Sequence, residues 1–172
     1  MPHGCFPKKA LIGLAVQVLL KIRIAGHKRL RLDTQQFQVH NIVMRIEHVA
    51  IWTADLERCK QFYVSYFGAV AGAGYVNVAT GFESCFLSFS DGARIELMTT
   101  TALAPAAVEP GAQRMGLAHI AISVGSERLV DALTERLKGD GVAILDGPRR
   151  TGDGYYESVV LDPDGNRVEI TA

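Results

Sequence analysis

The chain has 172 residues, 48% hydrophobic, 21% charged and 8% aromatic, with 18 Lys and Arg against 18 Asp and Glu. That length suits one domain with an ample core, and the balanced charge argues against a dedicated nucleic-acid binder. The longest apolar run, Ala10 to Leu20, is interrupted by Gln17 and falls short of the roughly 20 residues a membrane-spanning helix needs.

The neutrality is the sum of two unlike parts. Residues 1–43 carry Lys8, Lys9, Lys21, Arg23, Lys28, Arg29 and Arg31 against a single acid, Asp33, so 44–172 holds the opposite excess. The basic residues from Lys21 to Arg31 stand where a signal peptide would have a small, neutral cleavage site. This extension therefore reads as a poorly ordered terminus, or as sequence upstream of a start at Met44. Cys5, Cys59 and Cys85 are odd in number and far apart, which points to a reducing, cytoplasmic setting and not to a disulfide framework.

From Met44 onward the elements follow one another clearly. His48–Trp52 is a short apolar run that predicts a strand. Asp55 or Ala54 then opens a helix with Leu56, Cys59, Tyr63 and Tyr66 on one face, closed by Gly68. Strands follow near Val70–Val78, Phe82–Phe89 and Arg94–Thr99, with a turn at Asp91-Gly92. The Ala- and Pro-containing stretch 100–114 is a linker between a first module, 44–99, and a second, 115–172. The second module opens with a strand at His119–Ser123. Ser126 caps its helix, Leu129, Leu133 and Leu137 form the apolar stripe, and Gly139 ends it. Strands near Val142–Leu145, Tyr155–Leu161 and Arg167–Thr171 complete the chain, with Arg149–Tyr156 as a Gly-punctuated rim.

The same pattern is written twice. His48-Val49-Ala50-Ile51-Trp52 returns as His119-Ile120-Ala121-Ile122-Ser123, and Asp91-Gly92-Ala93-Arg94-Ile95-Glu96-Leu97 returns as Asp164-Gly165-Asn166-Arg167-Val168-Glu169-Ile170. Between them Phe82–Leu87 aligns with Tyr156–Leu161. Three collinear matches predict an α+β domain of two tandem βαβββ modules, a cupped mixed sheet with helices on its outer face. Strand alternation then sorts the side chains. Ile95, Leu97, Val168 and Ile170 face the helices, and His48, Glu96, His119 and Glu169 share the opposite, concave face. Two neutral imidazoles with two carboxylates suit a divalent ion, namely Zn, Ni, Co, Mn or Fe. Trp52, Met98, Arg150 and Tyr156 are candidate walls of a pocket for a small-molecule substrate.

This quartet, with the Phe62-Tyr63…Phe67-Gly68 helix end and the Asp162-Pro163-Asp164-Gly165 turn, resembles the vicinal oxygen chelate superfamily over all of 44–172. That superfamily includes glyoxalase I, extradiol dioxygenases and bleomycin-resistance proteins. The resemblance implies a homodimer and a divalent ion held by His48, Glu96, His119 and Glu169, within one chain or across two. Glyoxalase I is most similar, which implies a lyase or isomerase acting on vicinal oxygens through a metal-bound enediolate, with Glu169 or Glu96 as acid/base. Trp52 and Thr100 replace the Arg and Asn that glyoxalase I carries four residues beyond its ligands, so glutathione dependence does not follow. An Fe(II) ring-cleaving dioxygenase and a metal-free drug-binding protein are the alternatives.

Overall fold

The computed structural model describes residues 44–104, 109–113 and 115–172; the extension 1–43 and part of the linker lie outside the described residues. The first half contains β1 (His48–Trp52), α1 (Leu56–Phe67), β2 (Val70–Ala71), β3 (Tyr75–Asn77), β4 (Phe82–Ser88) and β5 (Arg94–Thr99). The second contains β6 (Ile120–Ser123), α2 (Glu127–Gly139), β7 (Ile144–Arg150), β8 (Tyr156–Leu161) and β9 (Arg167–Thr171). The order is β-α-β-β-β twice, as the repeat predicts, with the first half's second strand interrupted at Gly72–Gly74.

Each half builds its own mixed sheet. One runs β1-β5-β4-β2 with β3 also on β4, and the other runs β6-β9-β8-β7. The pairs β1–β5 and β6–β9 are parallel, and the neighbours of β4 and β8 are antiparallel. Parallel strands need a long crossover, and in each half the helix begins that crossover. Alternation along β5 and β9 buries Ile95, Leu97, Val168 and Ile170 against the helices. Arg94, Glu96, Arg167 and Glu169 are thereby left on the opposite face.

The helix ends are fixed by local chemistry. The Asp55 side chain accepts the Arg58 N–H at the start of α1, and Gly68 ends it at φ 65, in the left-handed region. Ser126 caps α2 by accepting from Leu129 N–H, while Gly139 is the last helical residue and Asp140 the cap. The stripe of α2 is turned by one residue from the one predicted. Val130, Thr134 and Leu137 are buried, and Leu129 is exposed. Thr134 tolerates burial because its hydroxyl bonds the Val130 carbonyl at 2.7 Å and the Ser158 hydroxyl at 2.6 Å.

Two further differences concern β7 and β8. The stretch expected as a rim from Arg149 is strand as far as Arg150, so β7 reaches across the sheet. The gapless match of Phe82–Leu87 to Tyr156–Leu161 is also one residue out of register. The ladders pair Phe86 with Glu96 and Val159 with Glu169, so Glu157 corresponds to Ser84 and Tyr156 to Glu83. A one-residue slip moves every side chain to the other face.

The halves meet where α1 leans on the turn after β8. Tyr63 Oη donates to Asp162 Oδ2 at 3.1 Å in the interior, and Ala54 N–H donates to Asp164 Oδ1 at 3.1 Å. Asp162 also accepts the N–H groups of Asp164 and Asn166 and the Asn166 side-chain amide. Burial nevertheless raises its carboxyl above the ordinary range, and burial likewise pushes the Tyr63 phenol and the Cys59 thiol up. One apolar cluster runs from Ile51 and Leu97 to Val160 and Ile170, so the two halves share a core.

Candidate metal centre

His48 opens β1 and Glu96 lies on β5, where the parallel ladder sets Ala50 directly opposite Glu96. His48 Nε2 stands 3.6 Å from Glu96 Oε2. In the second half Ala121 lies opposite Glu169, and His119 Nε2 stands 3.4 Å from Glu169 Oε2. These separations exceed a good hydrogen bond. They match an edge of a coordination shell, because two ligands bonded at about 2.1 Å to a tetrahedral ion stand about 3.4 Å apart. Ala50 and Ala121, the small residues between each pair, leave space above the strand.

Both carboxylates are sheltered, with side-chain exposures of 16% for Glu96 and 15% for Glu169, whereas the imidazoles are more open. His48 has an orienting partner that the sequence reading missed. Its Nδ1 meets Glu47 Oε2, which turns Nε2 towards Glu96. Glu47 also takes the Arg94 guanidinium, and hydrogen bonds from His48 and Arg94 hold its carboxyl below the ordinary range. Arg94 in turn lies 4.1 Å over the Phe86 ring.

The surroundings of His119 and Glu169 differ. Glu157 shares their sheet face, and its carboxyl is raised first by burial and then by the Glu169 charge. Arg149 lies 3.5 Å from Glu157 and is also paired with Asp146 at 2.6 Å. It reaches this face because β7 is irregular between Ile144 and Asp146 and again between Asp146 and Arg149. Such bulges re-aim side chains. The signal for Glu157 in the sequence was hidden by the one-residue slip, since the gapless alignment turns it away from Glu169.

Trp52 and Met98 lie side by side at the far end of the His48–Glu96 face. Arg150 and Tyr156 do not join the pocket. Arg150 pairs with Glu127 at the start of α2, its guanidinium sits over the Tyr156 ring, and Tyr156 Oη donates to Asp131 of α2 at 2.8 Å. Strand parity explains the correction: both belong to the helix-side row, and Arg149 and Glu157 are the residues on the concave row.

The two His–Glu pairs remain separate. Among the described residues no three His, Cys, Asp or Glu side chains gather to hold an ion. β1 and β6 each form an edge of their sheet, and a cavity of about 740 Å³ is lined by residues of both halves, including Trp52, Leu103, Leu117 and His119.

A sequence model of the Glyoxalase/Bleomycin resistance protein/Dioxygenase superfamily matches residues 45–170. The chain belongs to this superfamily. The uncharacterized protein YqjT of Bacillus subtilis (strain 168) is 29% identical over 132 residues, covering 74% of this chain and 98% of YqjT. Among solved structures, the superfamily domain from Frankia sp. EAN1pec has a TM-score of 0.63 at 20% identity, over 75% of this chain and 97% of that one. The trypanothione-dependent glyoxalase I of Leishmania major has a TM-score of 0.59 at 23% identity, over 74% of this chain and 86% of that one. Glyoxalase I from Zea mays has a TM-score of 0.61 at 24% identity, over 74% of this chain and 44% of that one. At these identities the structural likeness establishes the superfamily fold.

Proposed function

We propose that the chain is a divalent-metal-dependent lyase or isomerase of the glyoxalase type, active as a homodimer on a small substrate with vicinal oxygens. The observation that carries this reading is the recurrence of one His–Glu pair, at 3.6 and 3.4 Å, in equivalent ladder positions of both halves. His48, Glu96, His119 and Glu169 would hold the ion, and their two carboxylates match its charge. When bound, the ion supplies Lewis acidity to adjacent substrate oxygens. Since each half presents only two such side chains, the site is assembled from two half-sites, the first half of one chain facing the second half of its partner.

Within that site Glu169 is the proton-transfer residue. It is sheltered, and a second carboxylate, Glu157, shares its sheet face, one ladder step away. Glu96 lacks such a neighbour, as Ser84 stands in the equivalent place. Glu47 fixes the His48 ring. Cys59 and Cys85 are free and buried, which fits a cytoplasmic setting, and no helix among the described residues is long and apolar enough to cross a membrane.

Mixing two inactive variants tests the reading. His48→Ala and His119→Ala each lose metal and lose exchange of the substrate α-proton. Co-refolded, they regain both in the mixed dimer, because one of its two sites then has all four ligands. Tight drug binding by a chain that takes up no metal would instead establish a binding protein, and oxygen uptake with catechols would establish a dioxygenase.

A further inference from the structure

The face that carries His48 and Glu96 ends in an aromatic surface that the proposed chemistry leaves unused. Trp52 lies four residues from His48 on the same strand face, about 13 Å along β1. The residue is 49% exposed although its ring packs edge-on against Phe82, with centroids 6.2 Å apart and planes at 87°. Phe82 in turn meets Tyr75 at 6.1 Å, and Met98 is the ladder partner of Trp52. Ala50 keeps the strand low between His48 and Trp52.

We infer that Trp52, backed by Phe82, Tyr75 and Met98, seats a planar aromatic or conjugated group of the substrate. The metal-lyase reading fixes where the substrate's oxygens would lie; the aromatic seat itself stands on the packing alone. An edge-on aromatic cluster holds one ring in place and leaves its face open to a second ring. Charge supports the same occupant. Arg94, the guanidinium of this strand row, lies at the His48 end and is engaged by Glu47 and Phe86. Arg167, which lines the cavity shared by Trp52 and His119, directs two N–H groups to the Gly111 carbonyl, at 2.9 and 2.6 Å. Arg94 is thereby committed at the far end of the row, and Arg167 is held towards Gly111.

Trp52 is the single tryptophan of the chain, so its emission reports this seat directly. The full-length protein, loaded with zinc, is titrated with benzohydroxamate and acetohydroxamate, which chelate alike and differ by phenyl against methyl. The expected result is binding of benzohydroxamate roughly tenfold tighter, with a change in Trp52 emission. Trp52→Ala, followed by calorimetry, should bring the two affinities together by weakening benzohydroxamate alone, while Trp52→Phe keeps most of the preference. Equal affinities in the unsubstituted protein overturn the inference, as does a preference that survives Trp52→Ala. Emission that follows protein dilution and ignores the aryl probe also overturns it, by making this face a contact between copies. If no zinc binds, the metal-free protein is titrated with benzamide and acetamide. A response to benzamide alone retains the seat while the lyase reading fails, and a response to neither overturns both.

Discussion

The two halves hold the same His–Glu pair at the same ladder position and surround it with different chemistry. In the first, Glu47 orients His48 and pairs with Arg94, and the face runs on into Met98, Trp52 and Phe82. In the second, Glu157 of β8 shares the face of Glu169, and an irregular β7 brings Arg149 to Glu157. A repeated fold preserves the backbone geometry of a ligand pair, while the residues two steps along each strand are free to diverge. On the proposed reading the first half would orient and contact apolar surface, and the second would handle protons.

The largest expected effect tests that division of labour directly. Glu169→Gln should lower α-proton exchange by about 100-fold or more even when metal occupancy is restored with excess ion. Glu96→Gln should recover most of its activity under the same loading. Exchange rates normalised to measured metal content decide the matter, and equal residual losses would mean that the halves are chemically equivalent. Gly147→Ala should then damage the second half selectively. At φ 77 an added Cβ would lie 2.5 Å from the Glu157 carbonyl, a contact that β7 relieves only by leaving β8. A loss of about 3 kcal/mol in unfolding free energy is expected. Hydrogen-exchange protection should fall in β7 and β8 and hold in β4 and β5.

These contrasts were only partly legible beforehand. The repeat, the strand faces of β5 and β9, and the Asp55 and Ser126 caps follow from spacing and side-chain chemistry, which act within a few residues. The neighbours of Glu169 did not follow. Tyr156-Glu157-Ser158 and Phe82-Glu83-Ser84 align without a gap, yet the ladder offsets them by one, and no local propensity reports a ladder offset between distant strands. The buried row of α2 was only partly foreseen: Leu137 and Leu133 meet the core as expected, but Val130 and Thr134 take the place given to Leu129. Thr134 is polar by type and becomes a core residue because the Val130 carbonyl and, from the sheet beneath the helix, Ser158 satisfy its hydroxyl. Glu47 was overlooked because its importance lies in contacts to His48 and Arg94 that need the β1–β5 pairing.

The junction between the halves should respond to pH. Asp162 has its carboxyl raised by burial, so the native state holds that proton more tightly than the unfolded chain. Its contribution to stability is fully present below the unfolded value, about 3.9, and is lost as pH rises through the higher folded value. Asp162→Asn should remove that part of the slope in urea-unfolding free energies measured across this window. It should also cost about 1–3 kcal/mol throughout, because an amide N–H₂ then faces the Tyr63 or Asn166 donor. An unchanged slope would show that the junction carboxyl ionises equally well in both states.

The smallest effect lies under the second sheet, where a hydroxyl pair occupies the place of apolar packing in the first. Ser158 corresponds in the ladder to Cys85, and both are buried beneath their helix. Thr134→Val leaves the Ser158 hydroxyl without its partner and should cost about 1–2 kcal/mol. Ser158→Cys should cost a similar amount by weakening the donor to Thr134, whose own proton goes to the Val130 carbonyl. Combined, the two changes remove both hydroxyls at once and convert this site towards the packing of the first half, so the double variant should be more stable than the sum of the single losses predicts. Chemical denaturation of the four proteins gives the coupling energy. Strict additivity would mean that the 2.6 Å contact contributes nothing to α2 on β8, and that the twisted stripe of this helix is fixed by Val130 and Leu137 alone.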